Sequence, residues 1–563
     1  MSELDDDIQV VVAIDFGTTY SGYAYAHKSK PDEIIVQDGW KDYESHFKTP
    51  TVVKYNDNYS DVKLWGYSAL AEKPKQKKRL FSSSKIPKSS STPIELFKLH
   101  LLKSIKESEK PILPRKLNYK IVIRDFMKKL GNDVKESLKK RWLNLDFERN
   151  VLYILTVPAE FDDEAIEAFR ECVFDAGLLK DKDSNNIRII TEPEAASIQC
   201  LNSISEHNLN PGDLFMIVDC GGGTVDLTMR ELLEDRRLSE MTERTGDCCG
   251  SSRIDEAYLE LVGEKVGKSV IDSIRKNHYG QLQYFVQEFC EQAKIPFTGT
   301  EKDTQFAYEL DVVLPAIKDY VKKGEREKLI ESGWQFELSQ KDIKGLFDPV
   351  IDKIICLIRG QLDKSKKKCS AMFLVGGFSE SKYLQHRIRE EFSNRVPNIS
   401  VPANPTATVV KGGVLYGLRE DTVKDRVLKR TYGTDVVRNW QSSDPLSQRL
   451  PNGKVITFEK LVQRGKQISM DEKIVKEFKP LSVLQQKISF DMYVTDNPDA
   501  KYCDDPEVSL LRNWEIELPE NASVEDMEDM TIVFTLTFTT VEILATAENK
   551  KTGEKYHVTI KNE

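Results

Sequence analysis

Long apolar runs are missing from this 563-residue sequence. None approaches the ~18–20 residues that span a bilayer, so a membrane-spanning helix is not expected. The first residues, MSELDDDIQV, lack the positive charge of a secretory or mitochondrial presequence, which points to the cytoplasm and leaves the nucleus open. The nine cysteines are scattered, with no C-x-x-C pair and no Cys/His zinc spacing, so neither a disulfide framework nor a zinc site is expected. An excess of positive charge is also lacking. The 82 Lys and Arg against 91 Asp and Glu leave −9, which argues against a nucleic-acid binder that works by neutralising phosphates. Nor is there a G-x-x-x-x-G-K-[ST] loop, which removes the P-loop nucleotidases.

What is present is a globular composition, 39% hydrophobic and 31% charged, long enough for about three to five domains or lobes. In AIDFGTTYSGYAYA, the buried-strand pattern Val10 to Ile14 reaches Asp15, turns through Phe16 to Thr19, and continues as a second strand from Tyr20 to Ala26. Such a turn offers consecutive backbone N–H groups and small hydroxyls to an anion such as phosphate. A carboxylate at its base needs a cation before it can face phosphate, which suggests hydrated Mg2+ at Asp15. Taken alone the stretch reads equally as an ordinary Thr-rich hairpin. Its echo, FMIVDCGGGTVDLTM, repeats the strand, the Asp (Asp219), the Gly/Thr turn (Gly221 to Thr224) and the second strand. Two matched hairpins imply two related lobes gripping one nucleotide.

Between them, Val151 to Val157 reads as a buried strand, Asp162 or Asp163 as the cap of a helix closed by Gly177, and Ile187 to Ile190 as the next strand. That is a βαβ unit, so the sheet is partly parallel. Glu192 follows at the carboxyl edge, where ligands of open α/β sheets gather. In AMFLVGGFSESKYLQ a strand enters Gly376 and Gly377 and Ser379 opens a helix, so that backbone can approach a ligand. Residues Pro74 to Thr92, rich in Lys and Ser, read as a surface loop, with nuclear import or phosphorylation as a minor reading. After Gly417 the segment LREDTVKDRV has helical character, and the chain then becomes β-rich, with alternating strands around 485–498 and 530–560 and a turn at Lys551 to Glu554.

Taken in order, DFGTTYSG, LTVPAEFDDEAIEAF, RIITEPEAAS, VDCGGGTVDLT, CEQAKIPFT, LVGGFSES and ANPTATVVKGGVLYG resemble the ATPase domain of the seventy-kilodalton heat-shock chaperones, members of the actin and sugar-kinase superfold. The resemblance implies an α/β, actin-like, two-lobed ATPase domain over residues 1–420, with lobe I at about 8–213, lobe II at about 214–395 and a return to lobe I at about 396–420. A linker at 421–430 and a β-sandwich-like domain at 431–563 would follow. It implies ATP or ADP with Mg2+ as cofactors. Gly17, Thr18, Thr19 and Tyr20 would hold phosphates from one side, and Gly221, Gly222, Gly223 and Thr224 from the other. Asp15 and Asp219 would position hydrated Mg2+ and the attacking water, Glu192 would assist them, and Asp226 would support the second hairpin. Lys98 stands where the family has its catalytic lysine. Glu291, Lys294, Thr298, Gly376, Gly377, Phe378, Ser379 and Glu380 would line the nucleoside site.

Two departures stand out. Ile295 and Glu380 occupy positions where the family carries the arginines that enclose the adenine, a loss of ~0.5–2 kcal/mol of cation–π attraction per contact. The leucine-rich acidic linker is replaced by RVLKRTYGTDVV, and no helical lid is expected after the last hairpin. This combination resembles the divergent 12A and 12B subgroup of the family. The implied function is a slowly hydrolysing, chaperone-like ATPase whose β-domain binds polypeptide, with cochaperones as further partners. A nucleotide-gated scaffold for one specific protein, and less so a small-molecule kinase of the same superfold, remain as alternatives.

Overall fold

The computed structural model describes residues 7–40, 43–70, 91–181, 184, 186–203, 205–300, 303, 306–419, 422–470, 472–479, 486–518, 530–538, 543–556 and 559–560. Most of the Lys/Ser-rich stretch read as a surface loop lies outside them. The chain divides into two compact units, Met1–Arg236 with Thr245–Thr422, and Arg237–Arg244 with Val423–Glu563. Among the described residues no helix is long and apolar enough to cross a membrane.

The first unit contains two sheets of the same design. In one, β1 (Val10–Asp15) pairs antiparallel with β2 (Tyr20–His27) and parallel with β3 (Val151–Val157), which pairs parallel with β4 (Ile187–Thr191). In the other, β5 (Leu214–Cys220) pairs antiparallel with β6 (Val225–Leu232) and parallel with β7 (Cys369–Val375), which pairs parallel with β8 (Asn398–Ser400). β1, β3 and β5 are buried along their whole length, as continuous apolar runs in a sheet covered on both faces require.

Helices cover the first sheet. α1 (Tyr119–Arg141) starts at Asn118, whose side chain accepts from the N–H of Ile121, and buries Val122, Phe126, Leu130, Val134 and Leu138 at four-residue spacing. It packs on α2 (Asp163–Asp175), the helix of the βαβ unit. Of the two aspartates that could cap α2, Asp162 does so, accepting from Ala165 N, and Gly177 at φ 75° ends it. α3 (Glu192–Cys200) begins directly at the end of β4, through a capping box between Thr191 and Glu194. Against α3, β1 and β3 lies a late helix, Thr408–Leu418. Its Gly412 sits so close to the Ala195 carbonyl that a Cβ there would overlap it.

The second unit holds a five-stranded and a four-stranded antiparallel sheet. The first has the order Lys454–Val462, Thr431–Asn439, Lys487–Thr495, Val508–Glu517, Thr559–Ile560; the second runs Lys473–Phe478, Ile532–Phe538, Ile543–Asn549, Lys555–Tyr556. Ile488, Phe490, Met492, Trp514 and Ile516 from one sheet and Ile532, Phe534, Leu536 and Phe538 from the other share one apolar core. The period-2 alternation read around 485–498 and 530–560 follows from this single buried face. The chain reverses between Asn549 and Lys555 with Gly553 at φ 70°.

Two local expectations differ from the structure. Ser379 does not open a helix: Gly377–Glu380 is a single 3₁₀ turn, and the α-helix starts at Lys382 with Ser381 accepting from Leu384 N. A tight turn after Gly376 keeps backbone at the strand end before the helix can begin. The segment LREDTVKDRV shows no α-helix where described beyond Leu418: Thr422 lies in a 3₁₀ turn, and Asp425–Val427, within the stretch read as a linker, is a strand paired with Gln467–Ser469.

Candidate functional site

Each hairpin carries an aspartate within the last two residues of its first strand. Asp15 closes β1 opposite Gly22 and beside Thr156 of β3, whose hydroxyl donates to Asp15 Oδ1 at 3.3 Å. The turn after it is strapped by residues 49–51. Thr49 and Pro50 pair with β2, Thr51 N donates to Thr19 O at 2.8 Å, and the Thr51 hydroxyl donates to Gly17 O at 2.8 Å. The strap brings in Lys48, whose ammonium reaches Asp15 Oδ2 at 2.5 Å.

Asp219, one residue before the end of β5, lies opposite Asp226 of β6. The second turn is held by the start of α4 (Ser252–Val266): Gly250, Ser251 and Ser252 donate their N–H groups to the carbonyls of Gly223, Gly221 and Gly222 at 2.8–3.1 Å. The two turns touch. A Cβ on Gly222 would run into the Thr19 side chain and one on Gly223 into that of Thr18, so glycine is required where the turns meet. Gly376, at φ 81°, passes equally close to Asp219 and the Cys220 carbonyl.

A cavity of about 650 Å³ opens here. Asp15, Gly17, Thr18, Thr19, Tyr20, Lys98, Glu192, Asp219, Gly221, Gly222, Gly223, Thr224, Glu291, Lys294, Gly376, Gly377, Phe378 and Glu380, all singled out in the sequence, line it. Three others do not. Asp226 is buried behind the second turn and accepts from Ala159 N at 2.8 Å. Ser379 donates to Val375 O at 2.6 Å, and Thr298 to Asp303 at 2.8 Å. The sequence reading missed Lys48, Glu95, Ser251, Asp255 and Thr406, which also line the wall. Of these only Thr406 sits in a quoted motif, ANPTATVVKGGVLYG; the other four are brought in by the fold alone.

The two lysines at the aspartate end differ. Lys98 is 1% exposed, bonds Glu192 Oε1 at 2.8 Å, and lies over the rings of Phe16 and Phe161 at 5.5 and 5.6 Å. Lys48 retains 16% side-chain exposure. Burial would lower the Lys48 ammonium, but Asp15, with Asp219 and Glu192 nearby, outweighs it and holds the group protonated above its usual range. Burial pushes Asp219 well up, helped by Glu192; it also raises Glu192, against the pull of Lys98. Three carboxyl groups, those of Asp15, Glu192 and Asp219, thus crowd around two lysines, with Asp226 adding its charge behind Asp219. A divalent cation would relieve that repulsion, and backbone turns beside it suit phosphate oxygens. Among the described residues no group of three or more His, Cys, Asp or Glu is placed to hold a metal ion.

At the far end, Lys294 lies in a π-helical turn, Cys290–Lys294, after the helix Tyr279–Phe289. Its ammonium reaches Asp255 Oδ1 at 2.6 Å and Ser251 O at 2.8 Å. Ile295 is 51% exposed on the rim, and Glu380 accepts from the Thr406 hydroxyl at 2.7 Å. Neither side chain, an aliphatic one and a carboxylate, carries an aromatic or guanidinium plane of its own.

The family model described as Hsp70 protein matches residues 11–563. Heat shock 70 kDa protein 12A of Mus musculus is 26% identical, over 98% of this chain and 91% of that protein. Heat shock 70 kDa protein 12B of Homo sapiens is 24% identical over 90% and 84%, and chaperone protein DnaK of Anaplasma marginale (strain St. Maries) 24% identical over 60% and 52%. With paired Asp–Gly–Thr hairpins around one cavity and a match running from the first strand to the last residue, the chain belongs to the Hsp70 family.

Proposed function

We propose that the chain binds ATP and ADP with Mg2+ in this cavity, hydrolyses ATP slowly, and binds polypeptide through its C-terminal β unit as a chaperone-like protein. The observation that carries the reading is the contact between the two turns, Thr18 and Thr19 against Gly222 and Gly223, with Asp15 and Asp219 at their bases. The common strand order of the two sheets supports a two-lobed, actin-like ATPase domain over residues 1–420. The apolar core shared by the two later sheets supports a β-sandwich-like domain over 431–563, and among its described residues there is no α-helix.

In this reading, Gly17 to Tyr20 and Gly221 to Thr224 hold phosphate oxygens from opposite sides. Bound Mg2+ supplies charge neutralisation between those oxygens and Asp15 and Asp219. Asp219 and Glu192, at the strand ends, orient a water toward the phosphate, and Lys98 fixes Glu192 in place. Asp226 carries no reacting atom and pins the second hairpin to the Ala159 amide. Lys294, Glu291 and Gly377 hold the nucleoside.

The exposed Ile295 and the Thr406-bonded Glu380 favour a second reading, a nucleotide-gated scaffold with little turnover, since neither grips a base. Calorimetric titration of Mg-ATP followed by single-turnover hydrolysis separates the two: turnover supports the ATPase, and binding alone supports the scaffold. On the ATPase reading Asp219→Asn lowers single-turnover hydrolysis more than tenfold with an unchanged circular dichroism spectrum. Equal rates would sink the assignment.

A further inference from the structure

Lys48 and Lys98 both line the cavity beside its carboxylates, yet they are held differently. Lys98 is enclosed by Phe16 and Phe161 and bound to Glu192. Lys48 hangs from a backbone that is held on both sides, by the Thr49–Ser21 pairing and by the Tyr67 hydroxyl donating to Lys48 O at 3.2 Å, while its side chain projects to the cavity. Its ammonium takes Asp15 Oδ2, and Thr156 holds the other carboxylate oxygen.

We propose that Lys48 is a displaceable stand-in for the divalent cation: its ammonium neutralises Asp15 until the cation binds there, then gives way and swings on its stem to the phosphates. The inference rests on the Mg-nucleotide reading of the cavity. An ammonium 2.5 Å from Asp15 Oδ2 already takes one oxygen and offsets the charge of that carboxylate, so a hydrated divalent cation on the same group competes with it. The displaced group finds a ligand only in an anion, and a four-carbon stem carrying a compact charge suits a phosphate oxygen. Exchange of one cation for another keeps the buried carboxylate compensated throughout, which a rigid lysine could not do. Lys48 is thereby a positioning residue for the cation and a binding residue for the phosphates.

The test is Mn2+ binding to the nucleotide-free full chain, read by electron paramagnetic resonance, for the parent, Lys48→Met and Lys48→Arg. Lys48→Met is expected to bind Mn2+ at least tenfold more tightly than the parent, Lys48→Arg within about threefold of it, and adding Asp15→Asn to Lys48→Met to abolish the gain. Unchanged or weaker Mn2+ binding in Lys48→Met overturns the proposal. A second measurement needs no variant: acylation of Lys48 in the parent chain, followed by mass spectrometry, must rise when saturating Mn2+ is added, and equal labelling also overturns it. Mg-ATP calorimetry on the same parent sample separates the two readings. If ATP binds but Lys48 and Mn2+ ignore each other, only the exchange fails. If Mn2+ releases Lys48 but no nucleotide binds, the exchange stands and the nucleotide reading falls.

Discussion

Asp226 faces Asp219 across the second hairpin and has no route to solvent, which makes its proton a property of the fold. Burial, then Glu192 and Glu160, push its carboxyl up to about 7, against the Ala159 amide and Thr224 hydroxyl that favour the charged form. An aspartate in the unfolded chain titrates near 4. Between these values the folded state holds a proton that the unfolded chain has released, so the associated stability is complete below about pH 4 and disappears as pH rises through about 7. Asp226→Asn, whose carbonyl can still accept from Ala159, should flatten the fall in Tm between pH 5.5 and 8 measured without nucleotide. An identical slope in parent and variant would place the titrating group elsewhere. Residues such as Asp15, Asp219 and the glycines were legible in the sequence because an apolar strand, an acid and a Gly/Thr turn are contiguous. Lys48 was not. It stands in HFKTP, an unremarked stretch that reaches Asp15 only because residues 49–50 pair with β2.

Among the elements, the helix Thr408–Leu418 shows how packing rather than propensity chooses residues. Three glycines within it lower intrinsic helix stability by ~1 kcal/mol each relative to alanine. They are nonetheless required by closeness: Gly412 lies on the Ala195 carbonyl of α3, and Gly413 and Gly417 lie on β1 and β3 at Ala13, Val11 and Ile154. Gly412→Ala improves the helix locally and forces two backbones apart. The expected net effect is a loss of about 1–3 kcal/mol, read as a lower urea midpoint at unchanged slope. A higher midpoint would mean that α3 yields easily. The βαβ unit was legible for complementary reasons, since Asp162, the apolar spacing and Gly177 each mark one boundary of α2. The turn at Gly377 was misread because a serine beside a glycine pair resembles a helix cap, while the cap itself is the next serine, Ser381.

At the scale of the molecule, the sequence placed a single boundary near 421–430, whereas residues 237–244 group with the C-terminal unit. No periodicity marks so short a piece. Inside that unit Asp425 Oδ1 accepts from the Ser239 hydroxyl at 3.0 Å and from Glu240 N at 2.9 Å, while Gln467 donates to both Asp425 and Ser239, and Glu240 Oε2 accepts from Val427 N at 2.7 Å. A chain ending at Thr422 strips these partners from Ser239 and Glu240. It should therefore melt at a lower temperature than the same truncation with 237–244 replaced by a short Gly/Ser turn; the reverse order would show that the segment is self-sufficient. The C-terminal unit is thus written in two instalments. Glu240 precedes Asp425 by 185 residues, which a ribosome adding ~5–20 residues per second needs about 10–40 s to traverse. For that interval the partners of the early instalment do not yet exist, so this member of a chaperone family must itself wait, half-specified, until Asp425 and Val427 have been added.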